Sequence, residues 1–207
     1  SLNKAIQSST GDLIAPVDHD GLVDPQGCSL AFRYQQHNNI AWLYTDEVQV
    51  DELGWRINNF FKPTYSKQLL RSVMYINHLQ VFSHDLFNQA GGYREGFEGS
   101  QDHDLALRMS EVVEPHHVEA IAYQWRIQSD TQSRTQYRVT PDVTTHSIKA
   151  LSEHLVRLGY TSDITIAREQ SSTYQVRIVP KQKSKVSINC LFPCLSSFLF
   201  IVPTRVS

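Results

Sequence analysis

The chain has 207 residues, enough for one sizeable core and part of a second. Its formal net charge of -2 and its scattered basic residues do not indicate a nucleic-acid footprint. The three cysteines, Cys28, Cys190 and Cys194, are odd in number and badly spaced for a disulfide framework. This usage points to a reducing, cytoplasmic location, at most at the inner face of the cell membrane.

The chain opens within a helix, residues 2–9, stopped by Thr10 and Gly11. No initiator methionine precedes that helix, so the sequence reads as a fragment that has lost an N-terminal segment. Residues 13–17 are an apolar run that predicts a buried strand delivering Asp18 and Asp20. A strand ending in D-x-D presents two carboxylates on one side of the chain, because side chains alternate with period two. Two carboxylates suit a hard divalent cation, Mg2+ or Mn2+, that also takes phosphate oxygens.

A helix is predicted from Pro25 toward Gln36, and a second strand over residues 40–44, closed by Thr45, Asp46 and Glu47. Residues 48–59 suit a polar hairpin turning at 52–54. A short helix over 66–71, a strand over 75–82 and a helix over 84–90 follow. After the loop 91–94, an acidic, glycine-containing segment runs into an amphipathic helix over 101–110. Asp102 falls at its start, where orphan backbone N–H groups favour an anion. A strand is expected over 117–127, a polar loop over 129–140, a helix over 145–158 capped by Gly159, and paired strands over 164–167 and 174–179. The apolar tail, 188–202, is too short and too interrupted for a transmembrane helix. Alternating strands and helices predict an α/β architecture with a mostly parallel sheet flanked by helices, with ligands beyond the carboxyl ends of the strands.

The ordered series GDLIAPVDHD (11–20), LYTDE (43–47), FKPTYSKQLL (61–70), YINHL (75–79), GGYREGFEGSQDHDLALR (91–108) and YQWR (123–126) resembles the family 2 glycosyltransferases, of the bacterial surface-polysaccharide and rhamnan-synthesis type. The resemblance covers residues 2–127. It implies a GT-A fold, a nucleotide-sugar donor, a saccharide or lipid-linked acceptor and a divalent metal. By position it implies Asp18 and Asp20 as the metal and diphosphate carboxylates and Asp102 as the catalytic base. Trp125 and Arg126 would close the donor site, with Asp46, Glu98, Gln101 and Gln124 as further donor- or acceptor-binding residues. Each residue also has a plainer reading. Asp18 and Asp20 suit a solvated turn, Asp102 a helix cap, Asp46 and Glu47 a surface turn, His78 a satisfied, partly buried histidine, and Trp125 a core filler.

Two positions depart from the family pattern. Gly21 stands where a second acid usually follows D-x-D, and Gln124 where a histidine, the better metal ligand, is usual. The family's N-terminal β-α-β unit, which holds the nucleotide base, is absent from this sequence. Residues 186–188 and 201–205 resemble the opening of another such unit, with 189–200 between them. The expected organisation is therefore 1–140 as the C-terminal part of a GT-A domain, 141–185 as a helix and hairpin linker, and 186–207 as the start of a tandem transferase domain. The rival from another class is a non-catalytic glycan- or partner-binding remnant of such a domain. A two-metal phosphohydrolase would require more converging carboxylates or histidines than the sequence offers.

Overall fold

The computed structural model describes residues 2–19, 21–127, 141–166 and 173–179. Six helices and eight strands are present among them: α1 (Leu2–Ser8), β1 (Leu13–Ile14), β2 (Gly21–Val23), α2 (Pro25–Asn38), β3 (Trp42–Val50), β4 (Arg56–Phe60), α3 (Lys67–Ser72), β5 (Gln80–Ser83), α4 (His84–Gln89), α5 (Gln101–Met109), β6 (His116–Arg126), α6 (Pro141–Arg157), β7 (Thr161–Ile166) and β8 (Tyr174–Val179). The main sheet has the order β1-β5-β3-β6-β2, with β4 paired to β3, and β7 and β8 form a separate hairpin.

The α/β class is as expected, but strand direction is not mostly parallel. Among the described residues only β3 and β6 run parallel; β1–β5, β5–β3, β3–β4 and β6–β2 are antiparallel. Alternation of helices with strands does not fix pairing direction. The short 51–55 connection, for example, returns β4 as a hairpin arm on β3.

β3 is the centre of the molecule. It is buried almost throughout, and its alternation feeds two cores. Trp42 and Tyr44 pack on one face with Phe82, Leu105, Leu107 and Leu151. Leu43 packs on the other with Val81, Val118 and Ala31 of α2. The predicted strand at 40–44 thus extends through Asp46 and Glu47 to Val50, because partners elsewhere in the chain meet both carboxylates. β1, by contrast, is shorter than the apolar run 13–17. Pro16 lacks the N–H that would continue its ladder, and only Leu13 and Ile14 pair with β5. The strand expected at 75–82 is ordered as β5 only from Gln80.

Local chemistry fixes the helix starts. Asp24 caps α2 by accepting from Gln26 N at 3.1 Å and Gly27 N at 2.8 Å, with Pro25 in the first turn. Gly27 lets α2 lie against β6, since a Cβ there would come 2.0 Å from the Ile121 carbonyl oxygen. Ser66 and Ser83 cap α3 and α4 in the same way as Asp24. At α5 the cap residue Ser100 makes no such bond. Its hydroxyl instead reaches α6, at the Val143 carbonyl (3.0 Å) and the Ser147 hydroxyl (2.5 Å). Ala150, Leu151 and Tyr174 join the core beneath α5, so α6 and β8 pack into the same core as the sheet. The segments 128–140 and 180–207, including the predicted second-domain start, lie outside the described residues. No described helix is long and apolar enough to cross a membrane.

Candidate active site

The loop before α5 is held by buried charge. Arg108, in the last turn of α5, donates to the Gly92 carbonyl at 2.7 Å and also to the Ala90 carbonyl. Its Nη2 meets Asp104 Oδ2 at 2.6 Å. Arg94 grips the same carboxylate, with Nε 3.0 Å from Oδ2, and reaches Glu153 of α6 at 2.7 Å. Burial opposes charge on Asp104, but the two guanidinium groups outweigh it and hold the carboxyl below its ordinary range. Asn3 of α1 closes the other side: Tyr93 N donates to its Oδ1 at 2.9 Å, and its Nδ2 donates to the Tyr93 carbonyl at 2.8 Å.

Tyr93 is thereby set beside Asp102, the second residue of α5. Among the described residues its hydroxyl is buried and makes no close hydrogen bond, but it lies toward the Asp102 carboxylate. Among the described residues no cation is locked onto Asp102. Burial chiefly, and the nearby negative charge of Asp18, raise its carboxyl above the ordinary range, against the opposing influence of Tyr93, His78 and Asn77. Asp18 thus lies near enough for its charge to act on Asp102.

Asp18 is the open member of the pair, with its side chain 61% exposed. His78 Nε2 lies 2.9 Å from its Oδ2. That hydrogen bond, opposed by partial burial, keeps Asp18 below its ordinary range. Behind His78 stands Glu47 of β3, whose Oε2 is 3.5 Å from His78 Nδ1 and 3.2 Å from Lys62 Nζ. Lys62 is fully buried at its side chain and also donates to the His78 carbonyl at 2.7 Å and to the Asn77 carbonyl. Burial lowers the Lys62 pKa to about 8, against the pull of Glu47. Burial disfavours charge on His78 too, but its hydrogen bonds to Asp18 and Glu47 prevail and raise it to about 9. The His78 ring lies over Tyr123, with centroids 4.9 Å apart, and meets Trp125 at 5.6 Å.

The remaining sequence candidates divide. Asp20 lies outside the described residues. Asp18 itself sits four residues beyond the end of β1, so the strand-end argument for a period-two pair does not describe it. Asp46 is buried and engaged, accepting from Lys62 N at 2.9 Å and meeting His117 Nε2 at 2.8 Å. It does not form the surface turn that residues 45–47 suggested. Glu98 is exposed and accepts from Gly96 N at 3.0 Å; backbone N–H groups keep it below its ordinary range. Gln101 adjoins Asp102, with its Oε1 buried and unpartnered. Gln124 is directed to Asp24 at the α2 cap, at 3.5 Å, and not to His78. Trp125 reaches the site through His78, and Arg126 is exposed at the end of β6. At Gly21 a Cβ would fall 1.7 Å from the Tyr123 hydroxyl, so this chain has no room for the second acid without moving Tyr123.

For a metal, Asp18 supplies an ionised, exposed oxygen donor that suits Mg2+ or Mn2+. Among the described residues no three His, Cys, Asp or Glu side chains converge as a binding group.

No protein-family model matches the chain. It is 34% identical over 188 residues to the O-antigen biosynthesis protein RfbC of Myxococcus xanthus, covering 90% of this chain and 14% of that protein. It is 26% identical over 159 residues to the chondroitin synthase of Escherichia coli, covering 76% of this chain and 23% of that protein. In structure it is similar to S. aureus TarS 1–349, solved in complex with UDP-GlcNAc, with a TM-score of 0.50, 13% identity and coverage of 75% of this chain and 51% of the other. In sequence the chain is similar to glycosyltransferases of polysaccharide synthesis. Its fold is GT-A, and the chain spans less than a quarter of the length of either curated relative.

Sequence reasoning passed over Lys62 and Tyr93, weighed Glu47 only as a site-lining residue or a surface turn, and gave His78 a structural role. Lys62 and His78 do lie within the blocks FKP and YINHL that carry the family resemblance. Their convergence on Glu47 is a long-range contact that no local spacing encodes.

Proposed function

We propose that this chain belongs to an inverting glycosyltransferase that moves a sugar from a nucleotide-diphospho-sugar to a saccharide or lipid-linked acceptor during cell-surface polysaccharide synthesis. The observation that carries this reading is Asp102. It is a half-buried carboxylate at the start of α5, without a locked cation among the described residues, near enough for the charge of Asp18 to act on it and flanked by the hydroxyl of Tyr93.

In the proposed reaction, Asp102 accepts the proton of the attacking acceptor hydroxyl. The acceptor oxygen bonds to the anomeric carbon as the bond from that carbon to the diphosphate oxygen breaks. The bonding electrons leave with the nucleoside diphosphate. Attack opposite the leaving group inverts the anomeric configuration, and no covalent enzyme intermediate is formed. A raised carboxyl pKa makes Asp102 a better proton acceptor than an ordinary surface carboxylate. Asp18, together with Asp20, would hold the divalent cation, which when bound offsets charge on the departing diphosphate. The tandem transferase domain expected from the sequence is part of the same proposal.

The deciding experiment is Asp102→Asn in the full-length protein. The amide keeps the shape of the carboxylate but cannot take a proton at neutral pH. Sugar transfer should fall by about 10²–10⁴-fold while nucleotide-sugar binding is retained. Near wild-type turnover at saturating substrates would remove Asp102 from the base role.

A further inference from the structure

We propose that His78 is a positioning residue for Asp18, holding one carboxylate oxygen so that the other is presented to the donor diphosphate and its metal; the inference rests on the transferase reading above. The evidence is geometric. Nε2 of His78 takes Asp18 Oδ2 at 2.9 Å, which leaves Oδ1 for a ligand. Asp18 lies on an irregular segment beyond β1 and is mostly exposed, so its own backbone does not fix the carboxylate.

His78, in contrast, is fixed at three points. Its Nδ1 faces Glu47 at 3.5 Å, its carbonyl accepts from Lys62 Nζ at 2.7 Å, and its ring is stacked on Tyr123. Glu47 lies within the buried central strand, and Lys62 ties it to the same histidine at 3.2 Å. The rigidity of β3 is thus relayed through Glu47 and His78 to an otherwise loose carboxylate. Supporting partners of this kind typically contribute about 10–100-fold in metal affinity or activity.

The test is a double-mutant cycle in the full-length protein, comprising Asp18→Asn, His78→Ala and the pair. It is assayed with whichever of a UDP-, GDP- and dTDP-sugar panel the wild type turns over. His78→Ala should raise donor KM by about 10–100-fold, with kcat at saturating donor little changed, and should add almost nothing in the Asp18→Asn background. His78→Gln, whose amide nitrogen can reach the place of Nε2, should recover part of the loss. Additive effects of the two substitutions, or a fall in kcat and melting temperature with donor KM unmoved, would overturn the proposal.

The same cycle read by melting temperature needs no substrate. Non-additive shifts are expected, and additive shifts overturn the coupling. A wild type that turns over none of the panel would instead remove the transferase reading and leave the melting cycle to decide the His78–Asp18 contact.

Discussion

The open acidic corner around Asp102 and Asp18 and the closed ion cluster around Asp104 share one helix, and their carboxylates behave in opposite ways. Asp104 is the more deeply buried, at 1% exposure, yet its carboxyl is pushed down. Asp102 is more open to solvent, yet the protein around it is enough for burial to push its carboxyl up. Burial opposes charge in both. Partners decide the outcome: Asp104 has Arg94 and Arg108, whereas Asp102 has a tyrosine hydroxyl and another negative charge. A satisfied charge of this kind holds the loop and helix together. The unsatisfied one retains the affinity for a proton that a base requires.

The largest expected effect separates the two aspartates by stability. Asp104→Asn leaves two guanidinium groups without their shared counter-charge and should cost about 3–5 kcal/mol in chemical denaturation. Asp102→Asn removes a carboxylate that is repelled by Asp18 and should change stability by less than about 1 kcal/mol. Equal losses in the two variants would break the distinction.

A second, smaller difference should appear in the pH dependence of stability. The lowered pKa of Asp104 contributes stability that is present above the ordinary carboxylate value, near pH 4, and is lost as pH falls through the folded value. Asp102 has the opposite sign. Its folded form binds a proton more readily than the unfolded chain, so its contribution declines as pH rises from the ordinary value through the raised one. Denaturation midpoints measured across this range should show a shallower acid loss in any folded Asp104→Asn protein. The Asp102→Asn protein should lack the decline on the other side. Parallel profiles for the two variants would contradict the opposite shifts.

The smallest effect is expected at Tyr93→Phe. The lost hydroxyl makes no close hydrogen bond among the described residues, so the melting temperature should move by the equivalent of less than about 0.5 kcal/mol. A clear destabilisation would show that the hydroxyl is satisfied within the fold.

Much of the acidic corner was legible in the sequence because its signals are local. The glycine-containing approach to α5, the apolar period of the helix and the place of Asp102 in its first turn all lie within a dozen residues. Asp46 was not legible, because a polar pair following an apolar run reads as the end of a strand. The partners that let β3 continue through it, Lys62 and His117, stand 16 and 71 residues away. The ion pairs of Glu47 were not legible for the same reason, since Lys62 and His78 meet it only after the 51–79 segment has folded back onto β3. The short β1 could have been anticipated from Pro16, whose missing N–H is a local fact. Strand direction could not, because the alternation of helices and strands is the same for parallel and antiparallel neighbours.

The unusual cap of α5 bears on how such proteins can be recombined. The helix that carries Asp102 has its cap residue, Ser100, tied through its hydroxyl to Val143 and Ser147, and Arg94 reaches across to Glu153. A chimera joined anywhere between residues 127 and 141 would place a foreign helix against those groups. It would have to supply both a hydroxyl partner for Ser100 and an acid for Arg94. A crossover beyond residue 179 keeps these contacts native, so the stretch from α1 to β8 should transplant between parent proteins as one block.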